Sequence, residues 1–352
     1  METVTLDRLD RALAHALQID GRAPFSKIGD VLGVSENTVA RRYRRLRSAG
    51  ILRVVGVVDG LRLDHVSWAI RLRCTPDAAS AVATALARRN DTAWVSLLSG
   101  GTEIACGTLA RTPAERDAFL LDKLPRSRQV VGVTAHRMLH RFAGGPAGWA
   151  GLRALSTEQA AELLVDPAVH KQTSSPNDET VPLDEADHAL LETLSKDGRT
   201  THTDLAAITG WSESTVRRRM AHLRQTGILY FDVDIPPEPL GFHAEAWLWM
   251  SVKPAKLAAV GEALAQHPEV TVAAATTGPA NLFAGVTCRN SRDLYRYLTE
   301  RIGSLKAVRH VETAPLIRTV KRAGAILPGF RQEGPGPRRE RSAFHQEGSD
   351  LH

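Results

Sequence analysis

The sequence contains little cysteine and no long hydrophobic run. Among 352 residues there are three cysteines, Cys74, Cys106 and Cys288, and their odd number and wide spacing exclude a disulfide framework or a zinc site built on paired cysteines. No apolar run approaches the roughly 18 residues of a membrane-spanning helix. The first residues, METVTLDRLD, lack the basic and apolar segments of a secretory signal. These absences predict a soluble, cytoplasmic protein without a membrane partner.

Sequence motifs of catalysis and cofactor binding are absent as well. The chain has no dinucleotide-binding glycine motif, no phosphate-binding loop and no nucleophile elbow. His136 and His140 are four residues apart, but they fall on or just beyond a predicted strand, where this spacing does not form the metal-ligand pair of a helix. We therefore predict no catalytic residue, no metal and no cofactor.

The chain repeats itself. At an offset of 177 residues, Leu6–Leu52 aligns with Leu183–Leu229 without a gap, and 21 of the 47 positions are identical. Residues 1–142 hold 22 Lys and Arg against 14 Asp and Glu, whereas residues 183–322 hold 17 against 16. The net charge of +6 thus comes from the first copy, and it indicates an anionic partner.

The first part of each copy predicts three helices. In the first copy Asp7 caps the first helix, and Asp20-Gly21-Arg22 ends it with a glycine suited to a left-handed C-cap. Gly33 then opens a short turn, and Ser35 caps a third helix that runs to about Ala49. The second copy repeats these signals. Two helices joined by a glycine turn, the last one basic, are typical of a helix-turn-helix DNA-binding domain.

The third helix of each copy is rich in arginine. Val39 and Leu46 lie seven residues apart and face the core, so the arginines occupy outer faces that can reach phosphates or guanine edges. Short polar residues at the helix start are where recognition helices usually touch bases. A solvated arginine face is the alternative, but the repetition of turn, cap and arginines favours double-stranded DNA as the partner. The predicted DNA-binding residues are Ser35, Glu36, Asn37, Thr38, Arg41, Arg42 and Arg45 in the first copy, and Ser212, Glu213, Ser214, Thr215, Arg217, Arg218 and Arg219 in the second.

The second part of each copy changes to a period of two and predicts the order β-α-β-β-α-β, a ferredoxin-like unit. The last strands are predicted at Val130–Met138 and Val308–Leu316, and Trp247 and Trp249 share one strand face, as core or as a partner surface. The predicted fold class is α+β, a tandem repeat of a winged helix-turn-helix and a ferredoxin-like βαββαβ (RAM-type) domain. The predicted domains are a winged helix-turn-helix at 1–60, a βαββαβ domain at 61–142, a linker with a short helix at 143–182, a second winged helix-turn-helix at 183–236, a second βαββαβ domain at 237–322 and a disordered tail at 323–352.

These motifs resemble the Lrp/AsnC (feast/famine) family of regulators. The resemblance rests on LDxxDxxLLxxLxxDGR and SExTVxRRxxxLxxxGIL followed by the βαββαβ pattern, and it covers nearly all of Leu6–Phe142 and Leu183–Arg322. It implies transcription regulation, βαββαβ domains that pair through their sheets, and an amino-acid effector near that interface. The pairing would form a homo-oligomer or a pseudo-dimer within one chain.

The family's effector site commonly includes a G-x-x-D turn between two strands. Glu103 keeps the charge of that aspartate with a longer reach, and Asn281 keeps its shape without the charge. A glycine in a hairpin turn needs no ligand to explain it, so a purely structural turn is the alternative. The effector-binding residues that the resemblance implies are Gly100, Gly101, Thr102 and Glu103 in the first copy and Gly278, Pro279, Ala280 and Asn281 in the second.

Two other functions remain open at this stage. Siroheme decarboxylases resemble the same two-domain unit and place His and Arg on the strands around the β-β turn, but here those strands read AWVSLL, IACGTL, VTVAAAT and LFAGVT. An amino-acid-sensing module that no longer binds DNA is the third possibility, and the second copy is closer to it than the first.

Overall fold

The structure of the chain is a computed structural model that describes residues 6–63, 65–110, 112–117, 128–145, 149–164 and 181–327. Within these ranges no helix combines the length and the apolar character needed to cross a membrane. These ranges omit parts of three predicted domains: residues 118–127 of the first βαββαβ domain, residues 146–148 and 165–180 of the linker, and residues 328–352 of the tail.

The first copy has the predicted order of three helices followed by β-α-β-β-α-β. Asp7 caps the first helix and accepts a hydrogen bond from the backbone N of Asp10 at 2.8 Å, and Gly33 has the left-handed conformation that the turn requires, with φ 66°. The last strand extends five residues beyond the predicted Met138. The elements are α1 (Arg8–Ile19), α2 (Phe25–Leu32), α3 (Glu36–Ser48), β1 (Arg53–Val58), β2 (Val66–Cys74), α4 (Ala79–Ala87), β3 (Thr92–Leu98), β4 (Glu103–Ala110), α5 (Pro113–Asp117) and β5 (Val130–Ala143).

The segment between the copies packs against the first copy. Its helix α6 (Thr157–Leu163) begins with a capping box between Ser156 and Gln159, and Leu163 is fully buried. The ring Nδ1 of His15 accepts hydrogen bonds from the backbone N atoms of Ala154 and Leu155, both at 3.0 Å. Burial lowers the pKa of His15, which agrees with a neutral ring that accepts at Nδ1.

The second copy repeats the first. Its last helix continues from an α-helical into a π-helical segment at Tyr297–Ile302, and its last strand extends six residues beyond the predicted Leu316. The elements are α7 (Glu185–Lys196), α8 (His202–Thr209), α9 (Glu213–Gln225), β6 (Leu229–Asp234), β7 (Ala244–Val252), α10 (Leu257–Ala265), β8 (Val270–Thr276), β9 (Leu282–Cys288), α11 (Ser291–Arg296), β10 (Val308–Arg322) and the short β11 (Ala325–Ile326).

Strands of both copies close into one antiparallel barrel. Eight strands are hydrogen-bonded in the order β3-β4-β2-β5-β8-β9-β7-β10, and β10 pairs back onto β3. The last strand of each copy therefore pairs with the other copy, β5 with β8 and β10 with β3. β5 and β10 each pair with one neighbour along their first part and with the other neighbour along the rest, and this ring of pairings makes the chain a pseudo-dimer.

The helical parts of the two copies also form one unit. We call residues 6–58 the first head and residues 183–234 the second head. Strand β1 pairs antiparallel with β6, with Val55 opposite Asp232, and this β1–β6 ribbon joins the heads. A single hydrophobic core contains side chains of both heads, such as Leu17, Val54 and Phe231.

Two equivalent arginines fasten the heads to each other. The Arg22 guanidinium donates to the carbonyl oxygens of Gly198 and Thr200 at 2.7 and 3.0 Å. The Arg199 guanidinium donates to the carbonyl oxygens of Gly21 and Ala23 at 2.8 and 3.1 Å. Each arginine thus bonds to the loop that carries the other, as a pseudo-twofold axis requires.

The glycines before these arginines have a different role from the predicted one. Neither Gly21 nor Gly198 adopts the left-handed conformation, and the helix ends at Asp20 in an extended conformation. A Cβ atom on Gly21 would lie 2.7 Å from Cβ of Phe231 and 2.8 Å from Cγ1 of Val54. The left-handed C-cap was therefore wrong, and glycine is required because the copies approach closely here.

We expect Arg22→Ala and Arg199→Ala each to lower the free energy of unfolding by about 1.5–3 kcal/mol, the range for hydrogen bonds to a charged group. Urea unfolding followed by circular dichroism measures the change. Arg309→Ala is the control, because Arg309 is exposed on β10 and forms no ion pair with any residue in the described ranges. Equal stability of Arg22→Ala and Arg309→Ala would contradict the proposed fastening.

Candidate nucleic-acid interface

The start of α3 presents polar side chains to solvent. The Ser35 hydroxyl accepts a hydrogen bond from the backbone N of Thr38 at 3.2 Å, so Ser35 is the N-cap that the sequence predicts. Glu36 and Asn37 are exposed. Asn37, Thr38 and Arg41, together with Arg44, line a surface pocket of about 430 Å³. The structure thus brings the predicted base-contacting residues together with a basic side chain.

The start of α9 has the same geometry. The Ser212 hydroxyl accepts from the backbone N of Thr215 at 3.2 Å and lies 2.8 Å from the hydroxyl of Ser214. Glu213 accepts a hydrogen bond from the hydroxyl of Thr203 at 2.7 Å. Glu213 and Ser214 are exposed, so the second head also presents a polar helix start to solvent.

Arg44 donates to the carbonyl oxygen of Ala40 in its own helix. The other eight arginines of the two helices fall into three groups, and the first group faces solvent without a partner. Arg41 and Arg218 occupy equivalent positions in the two copies. Both are exposed, as is Arg217, and none of the three forms an ion pair or a side-chain hydrogen bond with a residue in the ranges that the structure covers. These three guanidinium groups are free to contact phosphates.

The second group is held within each head. Arg42 Nη1 lies 2.6 Å from Asp7 and 2.9 Å from Asp10, and Arg45 lies 2.6 Å from Asp10. In the second head Arg219 lies 2.6 Å from Asp187.

Asp10 and Asp187 are buried, at 1% and 0% exposure, so both need a cation nearby. Burial by itself would raise the pKa of Asp187, but hydrogen bonds from Arg219 and from the backbone of Asp184 outweigh it and lower that pKa. Arg42 and Arg219 therefore have an intramolecular role, and their phosphate contacts remain predictions.

The third group connects the two heads. Arg47 lies 2.6 Å from Asp197 of the second copy, and Arg224 lies 3.5 Å from Asp20 of the first. The two arginines occupy equivalent positions, and each reaches across the pseudo-twofold axis to the turn at the end of the other copy's first helix. Repetition of an arginine in the sequence therefore does not by itself indicate a DNA contact.

The first predicted effector turn lies against the other copy, and its acid is already paired. Glu103 is buried and accepts a hydrogen bond from Arg71 Nε at 2.5 Å. Arg71 also pairs with Glu312 on β10 at 2.5 Å and lies over the ring of Trp249, 4.8 Å from its centroid. Gly100 and Gly101 are left-handed residues at the tip of the turn, and Thr102 is exposed beside them.

The second effector turn also lies at the junction between the copies. Asn281 bonds with the backbone of Val252, whose N donates at 2.8 Å and whose O accepts at 2.9 Å. His136 of the first copy contacts the carbonyl oxygen of Thr277 through Nδ1 at 2.7 Å, next to Gly278. Pro279 is exposed and Ala280 is half-buried. The structure thus brings each turn to the predicted interface, but Glu103 and Asn281 are engaged by protein groups.

Arg71 is the residue of this region that the sequence did not single out. It alternates with apolar residues on its strand, and this pattern predicts an ordinary residue that faces away from the core. Its partner Glu312 is 241 positions away, and only the closure of the barrel brings the two side chains together. Nothing in the local sequence around Arg71 indicates this pairing.

Comparison with known proteins identifies both parts of the repeat. Residues 6–47 and 183–224 match the AsnC-type helix-turn-helix domain, and residues 245–326 match the Lrp/AsnC ligand binding domain. The HTH-type transcriptional regulator FL11 of Pyrococcus horikoshii is 34% identical over 142 residues, which are 40% of this chain and 93% of that protein. The HTH-type transcriptional regulator LrpA of Pyrococcus abyssi is 31% identical over 140 residues, which are 40% of this chain and 99% of that protein. A segment of two-fifths of this chain therefore aligns with nearly the full length of each relative, as expected if the chain contains the unit twice.

A solved structure matches the whole tandem arrangement. The siroheme decarboxylase NirDL aligns with a TM-score of 0.56 over 90% of this chain and 93% of its own, at 15% sequence identity. At that identity the likeness shows a shared fold and nothing about the reaction.

We expect the ion pair of Asp187 with Arg219 to stabilise the chain in a pH-dependent way. Asp187→Asn should lower the free energy of unfolding by about 1.5–3 kcal/mol at neutral pH. The folded-state pKa is below the ordinary 3.8, so this contribution is complete above pH 3.8 and is lost as the pH falls through the lower folded value. Unfolding of both proteins at about pH 7, 5 and 3 measures it, and a difference that grew towards pH 3 would contradict the assignment.

Proposed function

The chain belongs to the Lrp/AsnC family, and on that premise we propose that it is a sequence-specific, cytoplasmic DNA-binding transcription regulator whose two heads are carried by one pseudo-dimeric frame. Two findings support this function. Its relatives are named transcriptional regulators, and two segments of the chain match the helix-turn-helix domain. The observation that carries it is the equivalent placement of Arg41 and Arg218, which are exposed and unpaired among the described residues at the outer face of the third helices.

The pairing of the heads supports a bipartite operator. Helix-turn-helix dimers bind half-sites one or more helical turns apart, because the spacing of their recognition helices is fixed by the dimer. Here the β1–β6 ribbon and the arginines at positions 22 and 199 hold the heads together in one chain. We infer two half-sites about one or two turns apart in an imperfect palindrome, because the residues on the two recognition helices differ. Association between chains remains a prediction.

We also propose an amino acid or a related metabolite as effector at the paired βαββαβ domains. The matched ligand binding domain at 245–326 supports this. Glu103 is neutralised by Arg71 and Asn281 is bonded to Val252, so an effector at these turns would meet backbone groups at their tips rather than a free acid. Binding at the first turn would compete with the pair of Arg71 and Glu103.

We expect Arg41→Ala and Arg218→Ala to weaken DNA binding without changing the melting temperature. Each substitution removes one phosphate contact, so the slope of log affinity against log salt should decrease by about 1. We expect the larger loss for Arg41→Ala, since the first head carries more arginine. Titration of the chain against its own upstream region at several salt concentrations measures both quantities.

The controls separate DNA contact from folding. Arg309→Ala removes the same charge from the barrel and should leave the affinity unchanged, whereas Arg42→Ala should lower the melting temperature as well. Affinity that does not depend on salt would refute DNA binding. An unchanged affinity of Arg218→Ala alone would show that the second head does not bind.

The effector proposal predicts a thermal shift with at least one of the twenty amino acids. Glu103→Gln should change the size of this shift in melting temperature, because the substitution removes the carboxylate that competes with the effector for Arg71. The measurement needs only the purified chain and a fluorescence melting assay. If no amino acid changes the melting temperature, an amino-acid effector is refuted while DNA binding stands.

A further inference from the structure

A partly open cavity lies between the barrel and the ribbon that joins the heads. It measures about 450 Å³, within the range of small-molecule sites, roughly 300–1,000 Å³. One wall is the face of the β1–β6 ribbon that carries Tyr230 and Asp232, while Phe231 on the opposite face belongs to the core of the heads. The other wall is the interior of the barrel. This cavity is separate from the two effector turns, whose residues do not line it.

The barrel wall of the cavity is aromatic. Trp94 of the first copy and Trp247 of the second stack with their ring centroids 4.6 Å apart, and Phe283 stacks on Trp247 at 5.5 Å. Gly107 makes room for this arrangement, since a Cβ atom there would lie 2.1 Å from Nε1 of Trp94. Both copies therefore contribute to one aromatic surface, and faces of indole rings attract cations.

Two carboxylates on the cavity wall form no ion pair with a residue of the described ranges. The bond that Asp232 accepts comes from the backbone N of Val233, at 2.8 Å. Glu245 is hydrogen-bonded to Thr287, and the charge of Arg322 attracts it only from beyond ion-pair distance. Burial raises the pKa of Asp232 to about 6 and that of Glu245 to about 7. A cation in the cavity would favour the ionised form of both.

The basic side chains around the cavity are already satisfied by the protein. Arg141 pairs with Asp59 at 3.5 Å, and Arg322 pairs with Asp234. Lys321 Nζ donates to the carbonyl oxygen of Arg89 at 2.6 Å and contacts the hydroxyl of Thr92 at 3.1 Å. The acids that remain unpaired favour a positively charged occupant over an anion.

Unpaired polar atoms at the same cavity point to hydrogen bonds with an occupant. Gln18 Oε1 and Trp68 Nε1 are buried, and neither has a hydrogen-bond partner among the described residues. The amide nitrogen of Gln18 is engaged, donating to the carbonyl oxygen of Trp149 at 3.1 Å. A buried acceptor and a buried donor without partners are costly, and a polar ligand would satisfy them.

We propose that this cavity binds a small organic cation, an amine with a flat or apolar body. The stacked pair of Trp94 and Trp247 forms one side of the site, and the carboxylates of Asp232 and Glu245 form the other. The amine lies near the acids, and the body lies against the indole rings. The proposal does not depend on DNA binding by the heads, because no residue of α3 or α9 lines the cavity.

Calorimetric titration of the full chain, free of DNA, tests the proposal with two matched probes. Tryptamine and indole-3-propionate share the indole and a similar chain length but carry opposite charges. We expect tryptamine to bind and indole-3-propionate to bind at least about tenfold more weakly. Equal affinity for both probes, or no heat with tryptamine, would overturn the proposal.

Three variants locate the site. Asp232→Asn, Glu245→Gln and Trp247→Leu should each weaken tryptamine about tenfold, whereas Glu262→Gln, an exposed acid on α10, should not. Without ligand, Asp232→Asn should melt at a higher temperature than the wild type, because it removes a buried unpaired acid. Unchanged tryptamine affinity in all three variants, or a lower melting temperature of Asp232→Asn, would overturn the assignment. DNA titration reports on the heads separately, so failure of either proposal leaves the other testable.

Discussion

The close approach of the two copies is the constraint on which the rest of this structure depends. Gly21 allows Phe231 and Val54 to pack where any side chain would collide, and Arg22 and Arg199 bond to each other's loops across the same contact. Because both halves are in one chain, their pairing does not depend on protein concentration, unlike that of separate subunits. The heads are held in one arrangement, and the barrel closes only because the last strand of each copy also pairs with a strand of the other.

Duplication gives each repeated arginine a role that its position in the fold decides. Arg41 and Arg218 face solvent, Arg42 and Arg219 neutralise buried acids, and Arg47 and Arg224 join the heads. Only the first pair is available for DNA without breaking an existing ion pair. The other two pairs give basic residues of the third helix a structural role apart from nucleic acid.

The carboxylates of Asp232 and Glu245 on the cavity wall have no acidic counterpart in the first copy. Strand register places Val55 opposite Asp232 in the ribbon and gives Glu245 the position that Ser67 has in the first copy. The two acids on the wall therefore come from the second copy alone, whereas the stacked indoles come from one copy each. A symmetric dimer of identical chains would carry each acid twice, so the fused chain can form one asymmetric site where a symmetric dimer would form two equal ones.

The sequence by itself determined the repeat, the order of helices and strands, the caps at Asp7, Ser35 and Ser212, and the family. These features depend on local periodicity and on side chains that bond within a few residues. Tertiary structure alone decided that the last strands exchange between the copies, that Gly21 serves close packing rather than a left-handed turn, and that Arg71 reaches Glu312. Each of these depends on residues at least 130 positions apart, and local patterns carry no information about which distant surfaces meet.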